Sequence, residues 1–528
     1  MAFDIIVIGS GFGGAITGCR LAEGGYNVLI LERGRRWDKT NYPRKPEDMW
    51  IWNHEKPEKE NGWLDLHVFP HMSVAQGAAV GGGSQIYANI SCDAPAAAFD
   101  QGWPAEITYS ELKPYADVVA KFMNVQEVPD NQWTRRMALM KEGAEKISHG
   151  DRFKKLELAV SFDPRWNYGL DDAHNPARSK QFVNAQGIEQ GTCVHLGNCD
   201  IGCDVDARNT LDRNYIPWAE KYGAEVRELH LVNNIEPVDN GYRVYFDRLA
   251  DGGRIPGSET ARIVIVAASS LGSTELLLRC RDVSATLPNL SPVLGHGWSS
   301  NGDFMTPAVY GDREVDPTTG PTIACAIDFL DRSESNESFW IEDGGFLGLI
   351  NNYVRALQSR PSGVQGAMAK GLLDRFNQFL REHDALRHVM PWFAQGVDAA
   401  DGVLSLQPAP ATGESRLSLA WDIGKSRGVF DAIVQMHREL SVATGGKPLV
   451  SPTWSVFHDL VTPHPLGGCG IGNSPAAGVV NHAGEVFGYQ NLYVVDASII
   501  PRALGVNPSR TIGALAERIA KIIKDEAR

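Results

Sequence analysis

One stretch of the sequence determines the fold: Phe3-Asp-Ile-Ile-Val-Ile-Gly-Ser-Gly-Phe-Gly-Gly14. Residues 3–8 form a short apolar run rich in β-branched side chains, and a glycine ends it at once, which is typical of a buried parallel strand. Helix-forming residues follow over 15–23, and a second apolar run covers 27–31. This order predicts a strand, a helix and a second strand, with a G-x-G-x-x-G turn between the first two.

The glycines of this turn predict a dinucleotide site. Gly9 permits the tight turn, Gly11 lets the backbone approach a pyrophosphate, and Gly14 allows the helix to pack closely on the strand. Free N–H groups at the helix N-terminus attract the anion. Glu32 follows the second strand 23 residues after Gly9, close to the ~20 expected for an acid that binds ribose hydroxyls. The alternative is an ordinary corner between strand and helix, with Glu32 on the surface.

A second glycine cluster, Gly77-Ala-Ala-Val-Gly-Gly-Gly-Ser84, lies further along the chain. Consecutive glycines expose backbone N–H groups that can line an extended diphosphate and the chain beyond it. A nicotinamide dinucleotide needs no such second loop, so the two glycine segments together indicate a longer ligand. Taken alone, a cluster of this kind is more often a plain loop.

The composition excludes several classes of protein. The chain has 528 residues, of which 43% are hydrophobic and 22% charged, so a large core can form. Its 50 basic and 64 acidic residues give a net charge of −14, and no basic run matches a phosphate backbone. No apolar run reaches the ~18 residues of a membrane span. We therefore expect no nucleic-acid partner and no membrane span, and we predict a cytoplasmic protein because the first strand leaves no room for a secretion signal.

Later segments predict a second layer and a buried C-terminal helix. Alternating apolar side chains over 403–408 and 416–421 are typical of antiparallel strands. Residues 511–524 carry apolar side chains at helical spacing. Asn507 is a good N-cap residue and Pro508 suits the first helical position, so this helix is predicted to start there. The predicted fold is α/β, with a doubly wound, Rossmann-like domain and an inserted α+β domain that contains an antiparallel sheet.

Three of the eight cysteines, Cys193, Cys199 and Cys203, lie within eleven positions. Three interpretations stay open. The cysteines are partly buried thiols, or they bind zinc with His195 as the fourth ligand, although the C-x-H spacing is poor. In the third interpretation they bind an iron–sulfur cluster, for which thiolates are the usual ligands.

The chain resembles the glucose-methanol-choline (GMC) family of FAD-dependent oxidoreductases, and within it the bacterial cholesterol-oxidase-type members. The resemblance is strong at both ends of the chain and loose over residues 300–455. Seven segments carry it: Gly9-Ser-Gly-Phe-Gly-Gly14, Val80-Gly-Gly-Gly-Ser-Gln-Ile-Tyr-Ala-Asn89, Ala207-Arg-Asn-Thr-Leu211, Val264-Ile-Val-Ala-Ala-Ser-Ser-Leu-Gly272, His464-Pro-Leu-Gly-Gly-Cys469, Asn491-Leu-Tyr-Val-Val-Asp496 and Gly505-Val-Asn-Pro508.

The resemblance implies a role for individual residues. His464 and Asn507 match the catalytic pair of the family. Residue 85 is Gln rather than the histidine that some members use for a covalent flavin link, so non-covalent FAD is expected. The implied FAD contacts are Gly9, Gly11, Gly14 and Glu32 at the adenosine diphosphate, Gly82, Gly83 and Ser84 along the pyrophosphate and flavin, Asn89 beside the isoalloxazine, Val232 at the adenine near the end of a Glu225–Val232 strand, Asp496 at the cofactor chain, and Pro508 at the helix end that faces the flavin pyrimidine.

The resemblance also implies a reaction: FAD-dependent oxidation of a CH–OH group, with hydride passing to flavin N5 and the hydroxyl proton to His464. The cholesterol-oxidase-type members imply a bulky, apolar alcohol such as a sterol, with oxygen or an electron carrier as the acceptor. The alternative is a dehydrogenase of the same family that oxidises a sugar or another alcohol and passes electrons to a non-oxygen acceptor through a cysteine-ligated iron–sulfur cluster. A nicotinamide-dependent reductase would need a second glycine fingerprint or a redox C-x-x-C pair, and the sequence has neither.

The FAD-binding domain of this family is assembled from separated segments. We therefore expect a discontinuous FAD-binding domain and an inserted substrate-binding domain, the first formed by residues 1–110, 190–300 and 455–528 and the second by 111–189 and 301–454.

Overall fold

The computed structural model describes residues 3–45, 47–250, 252–345, 385–408, 415–449 and 460–526. Over these residues the α-helices are α1 (Phe12–Glu23), α2 (Tyr109–Phe122), α3 (Arg135–Lys146), α4 (Tyr215–Lys221), α5 (Ser269–Asp282), α6 (Ala385–His388), α7 (Arg427–Ala443) and α8 (Ser509–Glu526). The strands are β1 (Phe3–Ile8), β2 (Val28–Leu31), β3 (Leu64–Phe69), β4 (Met72–Gly77), β5 (Gln126–Glu127), β6 (Phe153–Lys155), β7 (Glu157–Leu158), β8 (Phe182–Val183), β9 (Glu189–Gln190), β10 (Glu225–Arg227), β11 (His230–Val238), β12 (Gly241–Ala250), β13 (Gly253–Val266), β14 (His296–Trp298), β15 (Phe304–Val309), β16 (Cys325–Phe329), β17 (Phe339–Asp343), β18 (Val389–Gly396), β19 (Gly402–Pro408), β20 (Ser415–Ala420), β21 (Lys447–Pro448), β22 (Leu460–Thr462) and β23 (Leu492–Val494).

The first sheet is parallel at its centre. Its parallel strands lie in the order β10-β2-β1-β13-β23, and Ile5 to Ile8 of β1 are buried between their neighbours. Burial on both faces explains why these strands read as continuous apolar runs. The first half of the long strand β13 pairs antiparallel with β12, which pairs antiparallel with β11. The predicted strand, helix and strand unit is thus confirmed.

The predicted single strand over 225–232 is wrong. The structure divides it into β10, at the edge of the parallel sheet, and β11, at the edge of the antiparallel part. Leu229 between them has a φ of 57°, a left-handed conformation that ends a strand. The break turns the chain so that the His230 N–H donates to the Glu32 carbonyl oxygen at 2.8 Å. Val232 therefore belongs to the second of the two strands.

A second, six-stranded sheet is antiparallel throughout, in the order β21-β15-β18-β17-β16-β6. This sheet confirms the predicted antiparallel layer. The two strands predicted over 403–408 and 416–421 also form, as the antiparallel pair β19 and β20. They lie in a separate three-stranded sheet with β14. A further three-stranded sheet joins β22 to β4 in parallel and β4 to β3 in antiparallel orientation.

The C-terminal helix α8 lies in the interior and contacts both α1 and α2. Two of its buried charged residues are paired: Glu517 accepts from Arg20 at 2.8 Å, and Arg518 donates to Glu111 at 3.0 Å. The helix begins at Ser509, one residue after the predicted first helical position, Pro508. Pro508 provides the first helical acceptor, because its carbonyl accepts from the Ile512 N–H at 2.9 Å.

The division of the chain into two domains stays a prediction. Strands of the parallel sheet come from segments assigned to the FAD-binding domain, and strands of the six-stranded sheet come from segments assigned to the substrate-binding domain. The sequence also has an apolar run, Phe346-Leu-Gly-Leu-Ile350, that is typical of core or of pocket lining, and this run lies outside the described residues. Within the described residues, no helix is long and apolar enough to cross a membrane.

The contact between α1 and β23 predicts that Gly13 tolerates no side chain. A Cβ atom at Gly13 would lie 1.6 Å from the carbonyl oxygen of Val495, which belongs to a rigid buried backbone. We expect Gly13→Ala to cost roughly 3 kcal/mol or more, seen as a lower midpoint of thermal unfolding. Gly311→Ala is the control, because a Cβ there meets nothing within 4 Å. Equal midpoints for the two variants would contradict this packing.

Candidate functional site

A single large cavity of about 1410 Å³ collects most of the predicted site residues. Residues far apart in sequence meet in its wall because the ends of the parallel strands and the face of the six-stranded sheet border the same space. The predicted residues in the wall are Gly9, Gly11, Glu32, Gly82, Gly83, Val232, His464, Asp496, Asn507 and Pro508. Gly14, Ser84 and Asn89 do not line it.

The two glycine segments meet at one end of the cavity. Gly9 has a φ of 97° and Gly82 a φ of 51°, both in the left-handed region. A Cβ atom at Gly82 would lie 2.6 Å from the Cα of Gly11, so the two backbones touch. A Cβ atom at Gly83 would meet nothing within 4 Å, because this residue faces the open cavity. The glycines thus leave a stretch of backbone exposed to the cavity, where it can contact a ligand.

Glu32 is held at the edge of this turn by three hydrogen bonds. Its carboxylate accepts from the Ser10 N–H at 2.9 Å, the Ser10 hydroxyl at 2.7 Å and the Gly34 N–H at 2.8 Å. Burial raises its pKa, and these donors oppose the rise. The Ser10 hydroxyl also accepts from the Gly81 N–H at 3.0 Å, so Ser10 ties Glu32 to the second glycine segment. The sequence offered no signal for this role of Ser10.

The Asp496 carboxylate, like that of Glu32, is held in place by several hydrogen bonds. One carboxylate oxygen accepts from the Ser269 N–H at 2.9 Å and the Ser273 hydroxyl, and the other accepts from the Ser498 N–H at 2.8 Å. Burial raises its pKa, and these hydrogen bonds oppose the rise. Asp496 therefore fixes the start of α5 against the end of β23 while it faces the cavity.

Three of the predicted residues lie behind the wall. A Cβ atom at Gly14 would meet the carbonyl oxygen of Gly9 at 2.0 Å, so this glycine serves helix packing, as predicted. The Ser84 hydroxyl donates to the Gly81 carbonyl at 2.7 Å and accepts from the Leu211 N–H at 3.1 Å. The Asn89 carboxamide oxygen accepts from Arg208 at 2.9 Å. Ser84 and Asn89 thus shape the glycine loop from behind.

Val232 borders the cavity at an irregularity of β11. Val232 pairs with Phe246 and Asn234 with Tyr245, so Asn233 is an extra residue that forms a β-bulge. Both Val232 and Asn233 line the cavity. A bulge leaves backbone groups unpaired and free to contact a ligand.

His464 and Asn507 lie together, as the sequence predicted. His464 Nε2 and Asn507 Nδ2 are 3.5 Å apart, and both side chains face the cavity. His464 follows strand β22, and its N–H donates to the Thr462 hydroxyl at 2.9 Å. Asn507 precedes α8; it does not cap that helix, because its carboxamide is turned toward His464. The carboxamide oxygen of Asn507 is buried and has no hydrogen-bond partner.

The sequence did not point to the carboxylates beside this pair. Asp303 is 1% exposed, and its two oxygens lie 2.9 and 3.0 Å from His464 Nδ1. Glu342 is fully buried, and Gln395 donates to it at 3.3 Å. Burial raises the pKa of Glu342 well above its usual range, and the charge of Asp303 adds to the rise. The one available signal was an acid within the apolar strand β17.

The cysteines do not form a single-ion site with His195. Among the described residues, one group of three or more His, Cys, Asp or Glu ligand atoms lies within 4.8 Å of one another, and it includes none of Cys193, Cys199 and Cys203. His195 uses both ring nitrogens elsewhere, with Tyr168 at 2.7 Å and Gln132 at 3.3 Å. The structure therefore gives no support to the zinc interpretation.

The thiols themselves are in a buried environment. Burial raises the pKa of the Cys199 thiol to about 11, and it also raises the pKa of Cys193 and Cys203. Cysteines of an iron–sulfur cluster bind different irons, so the 4.8 Å spacing of a single ion does not test that interpretation. It stays a prediction.

The group that does satisfy this spacing is His54, Asp65 and His67, in and behind the cavity wall. The fully buried Asp65 carboxylate is 2.6 Å from His54 Nε2 and 3.2 Å from His67 Nε2. Arg33 donates to the same carboxylate at 2.6 Å. The Arg33 guanidinium already occupies the carboxylate oxygen Oδ2 that His67 also approaches, so a metal ion would have to displace this donor from Asp65. We interpret the group as a buried ion cluster.

Known proteins match this chain in sequence and in structure. Residues 398–516 match the sequence profile of the GMC oxidoreductases. The chain is 31% identical to a cholesterol oxidase of Acinetobacter baumannii, over 99% of this chain and 94% of that protein. It is 29% identical to a cholesterol oxidase of Mycobacterium tuberculosis, over 98% of this chain and 91% of that protein. Among solved structures, pyridoxine 4-oxidase from Mesorbium loti matches with a TM-score of 0.61 at 16% identity, over 98% of this chain and 99% of that one.

The ion cluster predicts a pH-dependent contribution to stability. Burial would lower the pKa of His67, but the charge of Asp65 outweighs this effect and raises it. The stabilisation is fully present below the unfolded pKa of about 6.5 and is lost as the pH rises through the folded value. We therefore expect the difference in thermal unfolding midpoint between wild type and His67→Gln to shrink from pH ~6 to pH ~9. The exposed His296→Gln is the control, and a constant difference for His67→Gln would contradict the cluster.

Proposed function

The chain belongs to the GMC oxidoreductase family, whose members are FAD-dependent enzymes acting on CH–OH groups, and we propose that it oxidises a bulky, apolar alcohol such as a sterol. His464 is the proposed acceptor of the hydroxyl proton, and Asn507 is its partner. One observation supports this proposal above all. His464 Nε2 and Asn507 Nδ2 lie 3.5 Å apart, and both residues line the cavity that both glycine turns also line.

FAD fits the residues present. The bare backbone from Gly11 to Gly83 suits a pyrophosphate, the Glu32 carboxylate suits the ribose, and the bulge at Val232 suits the adenine. Non-covalent binding is supported by Gln85, which is buried and donates to the Val80 carbonyl at 3.2 Å rather than facing the cavity. When bound, FAD supplies the acceptor for the hydride and its two electrons.

The catalytic step that the protein itself provides is proton transfer. His464 Nδ1 faces Asp303, so Nε2 is the ring nitrogen left to take the hydroxyl proton. Asn507 can donate from Nδ2 to the substrate oxygen and hold it beside Nε2. The two groups therefore orient the hydroxyl, and removal of its proton prepares the same carbon to lose hydride.

The wall on the substrate side supports an apolar substrate. Met305 and Phe393 project from the six-stranded sheet, Ile323 precedes it, and Val461 and Pro463 flank His464. Such a wall gains free energy by removing apolar surface from water, about 25 cal/mol per Å². A sugar, which carries many hydroxyl groups, would leave most of its hydrogen bonds unmade against these side chains.

The alternative within the family is a dehydrogenase of a sugar or another alcohol that uses a non-oxygen acceptor. The cysteine cluster near the cavity would favour it if that cluster carried iron and sulfide. The identity of the acceptor and a cytoplasmic location stay predictions of the sequence.

Removal of either proposed catalytic side chain is expected to lower turnover by orders of magnitude without loss of FAD. His464→Ala and Asn507→Ala should each slow anaerobic flavin bleaching by an alcohol, by roughly 10²- to 10⁴-fold for the base. Flavin absorbance of the purified variants monitors binding, and His296→Gln is the control for loss of an imidazole. Bleaching at the wild-type rate in both variants would refute the assignment.

The substrate class is tested by a panel of alcohols. We expect anaerobic bleaching by 3β-hydroxysterols and long-chain alcohols at far lower concentrations than by sugars or small diols, since only apolar substrates bury surface in the cavity. Stopped-flow spectra in the presence of detergent-matched buffers measure the dependence on concentration. Activity confined to sugars would overturn the sterol proposal, and it would leave the catalytic pair intact.

A further inference from the structure

We infer that one buried turn, residues 299–303 (the positioning turn), places both catalytic side chains, with Asp303 acting as the positioning residue of His464. The inference rests on the proposed function, because it assigns the geometry of the same site. Every polar side chain of the turn is at most 1% exposed, although serine, asparagine and aspartate are usually found at the surface.

Asp303 selects one form of the His464 ring. Both carboxylate oxygens approach Nδ1, at 2.9 and 3.0 Å, so Nδ1 carries the proton that is donated to them. The Thr462 hydroxyl is 2.5 Å from Asp303 Oδ2 and accepts from the His464 N–H at 2.9 Å. Ring and backbone of His464 are therefore tied to the same carboxylate. Nε2 is left as a lone-pair acceptor on the side that faces Asn507.

Asp303 also supplies the charge that proton transfer requires. When the substrate O–H bond breaks, its proton passes to Nε2 and the ring becomes an imidazolium, while Nδ1–H stays hydrogen-bonded to Asp303. The C–H bond breaks with its electron pair, which leaves as hydride to the flavin as oxidant, and a carbonyl product remains. A positive ring in a buried site is stabilised by a carboxylate that is already in place and needs no reorganisation.

The same turn fixes Asn507 through Asn301. The Asn301 carboxamide oxygen accepts from the N–H groups of Leu504 and Gly505 at 2.9 and 3.0 Å. Its NH₂ group donates to the Val506 carbonyl at 2.8 Å. Asn301 thus pins the three residues that precede Asn507. Since Asn301 and Asp303 are two residues apart, the distance between the catalytic side chains is set within a single turn.

A second carboxylate, Asp398, anchors the turn without touching the catalytic pair. It accepts from the Ser299 hydroxyl at 2.7 Å, the Ser300 N–H at 2.8 Å and the Ser300 hydroxyl at 2.9 Å. Asp398 is therefore a matched control, because it too is a buried acid bonded to this turn. The other acid that faces Asp303 is Glu342, on strand β17.

The test compares Asp303→Asn with Asp303→Glu. The first keeps the shape of the side chain and removes the charge, and in one orientation it donates to Nδ1 and forces the wrong ring tautomer. The second keeps the charge and adds a methylene to a packed site. A positioning role predicts that Asp303→Asn lowers the rate of flavin reduction on the order of 10²–10⁴-fold with little change in KM. It also predicts that Asp303→Glu lowers this rate by a smaller factor. A purely structural role predicts the opposite order, which would overturn the inference.

The ring tautomer provides a readout that needs no substrate. In holoenzyme labelled with ¹⁵N-histidine, we expect a downfield Nδ1–H signal of His464, assigned by its absence in His464→Gln. Asp303→Asn should lose this signal, whereas Asp398→Asn should keep it even though its unfolding midpoint falls. Retention of the signal and of wild-type rates in Asp303→Asn would overturn the inference. If no alcohol bleached the wild-type flavin, the proposed function would fail, and the Nδ1–H signal would still decide the role of Asp303.

Discussion

The structure depends on the contact between two backbones that carry no side chains. Gly82 can lie against Gly11 because Gly82 has no Cβ atom, which would come within 2.6 Å of the Gly11 Cα. The Ser10 hydroxyl closes the same junction by donating to Glu32 and accepting from the Gly81 N–H. This junction brings a strand from the beginning of the chain and a loop beyond β4 to one edge of the cavity. A side chain at Gly82 would push the two segments apart and deform this edge of the cavity.

The two ends of the cavity beyond this junction differ in the groups that line them. The nucleotide end is defined by backbone, because an anion is bound best by N–H groups that cost no side-chain entropy to order. The reactive end is defined by side chains that buried acids hold in place. Such acids are expensive to bury unless they are hydrogen-bonded. Asp398 accepts four hydrogen bonds, and Asp303 accepts from the Thr462 hydroxyl and from His464 Nδ1. The desolvation cost of these acids lowers stability, and their hydrogen bonds make the part of the cavity around His464 rigid.

Much of this could be predicted from the sequence because the determining features are local. The glycine spacing around Gly9 and the apolar runs beside it are properties of a few consecutive residues, and so is the pattern that predicts α8. The parts that failed depend on tertiary contacts. The break at Leu229 has strand-forming residues on both sides, so the local sequence does not show it. The break becomes evident only in the folded sheet, where β10 and β11 lie at opposite edges. The helix begins at Ser509, and the Asn507 carboxamide is turned toward His464, a contact between distant segments that no local pattern reveals.

The carboxylates of the site were missed for a related reason. Asp303 lies in a polar stretch that reads as an ordinary surface turn, and its burial results from β22 and the chain before α8 packing over it. Local sequence rules predict that such a turn lies at the surface, where its polar groups stay solvated and carry no desolvation penalty. Its position inside the molecule means that the hydrogen bonds of Asn301 and Asp303 must offset a large desolvation penalty. A buried acid that carries this penalty, with both oxygens on one imidazole, contributes to the orientation and charge of His464 rather than to stability.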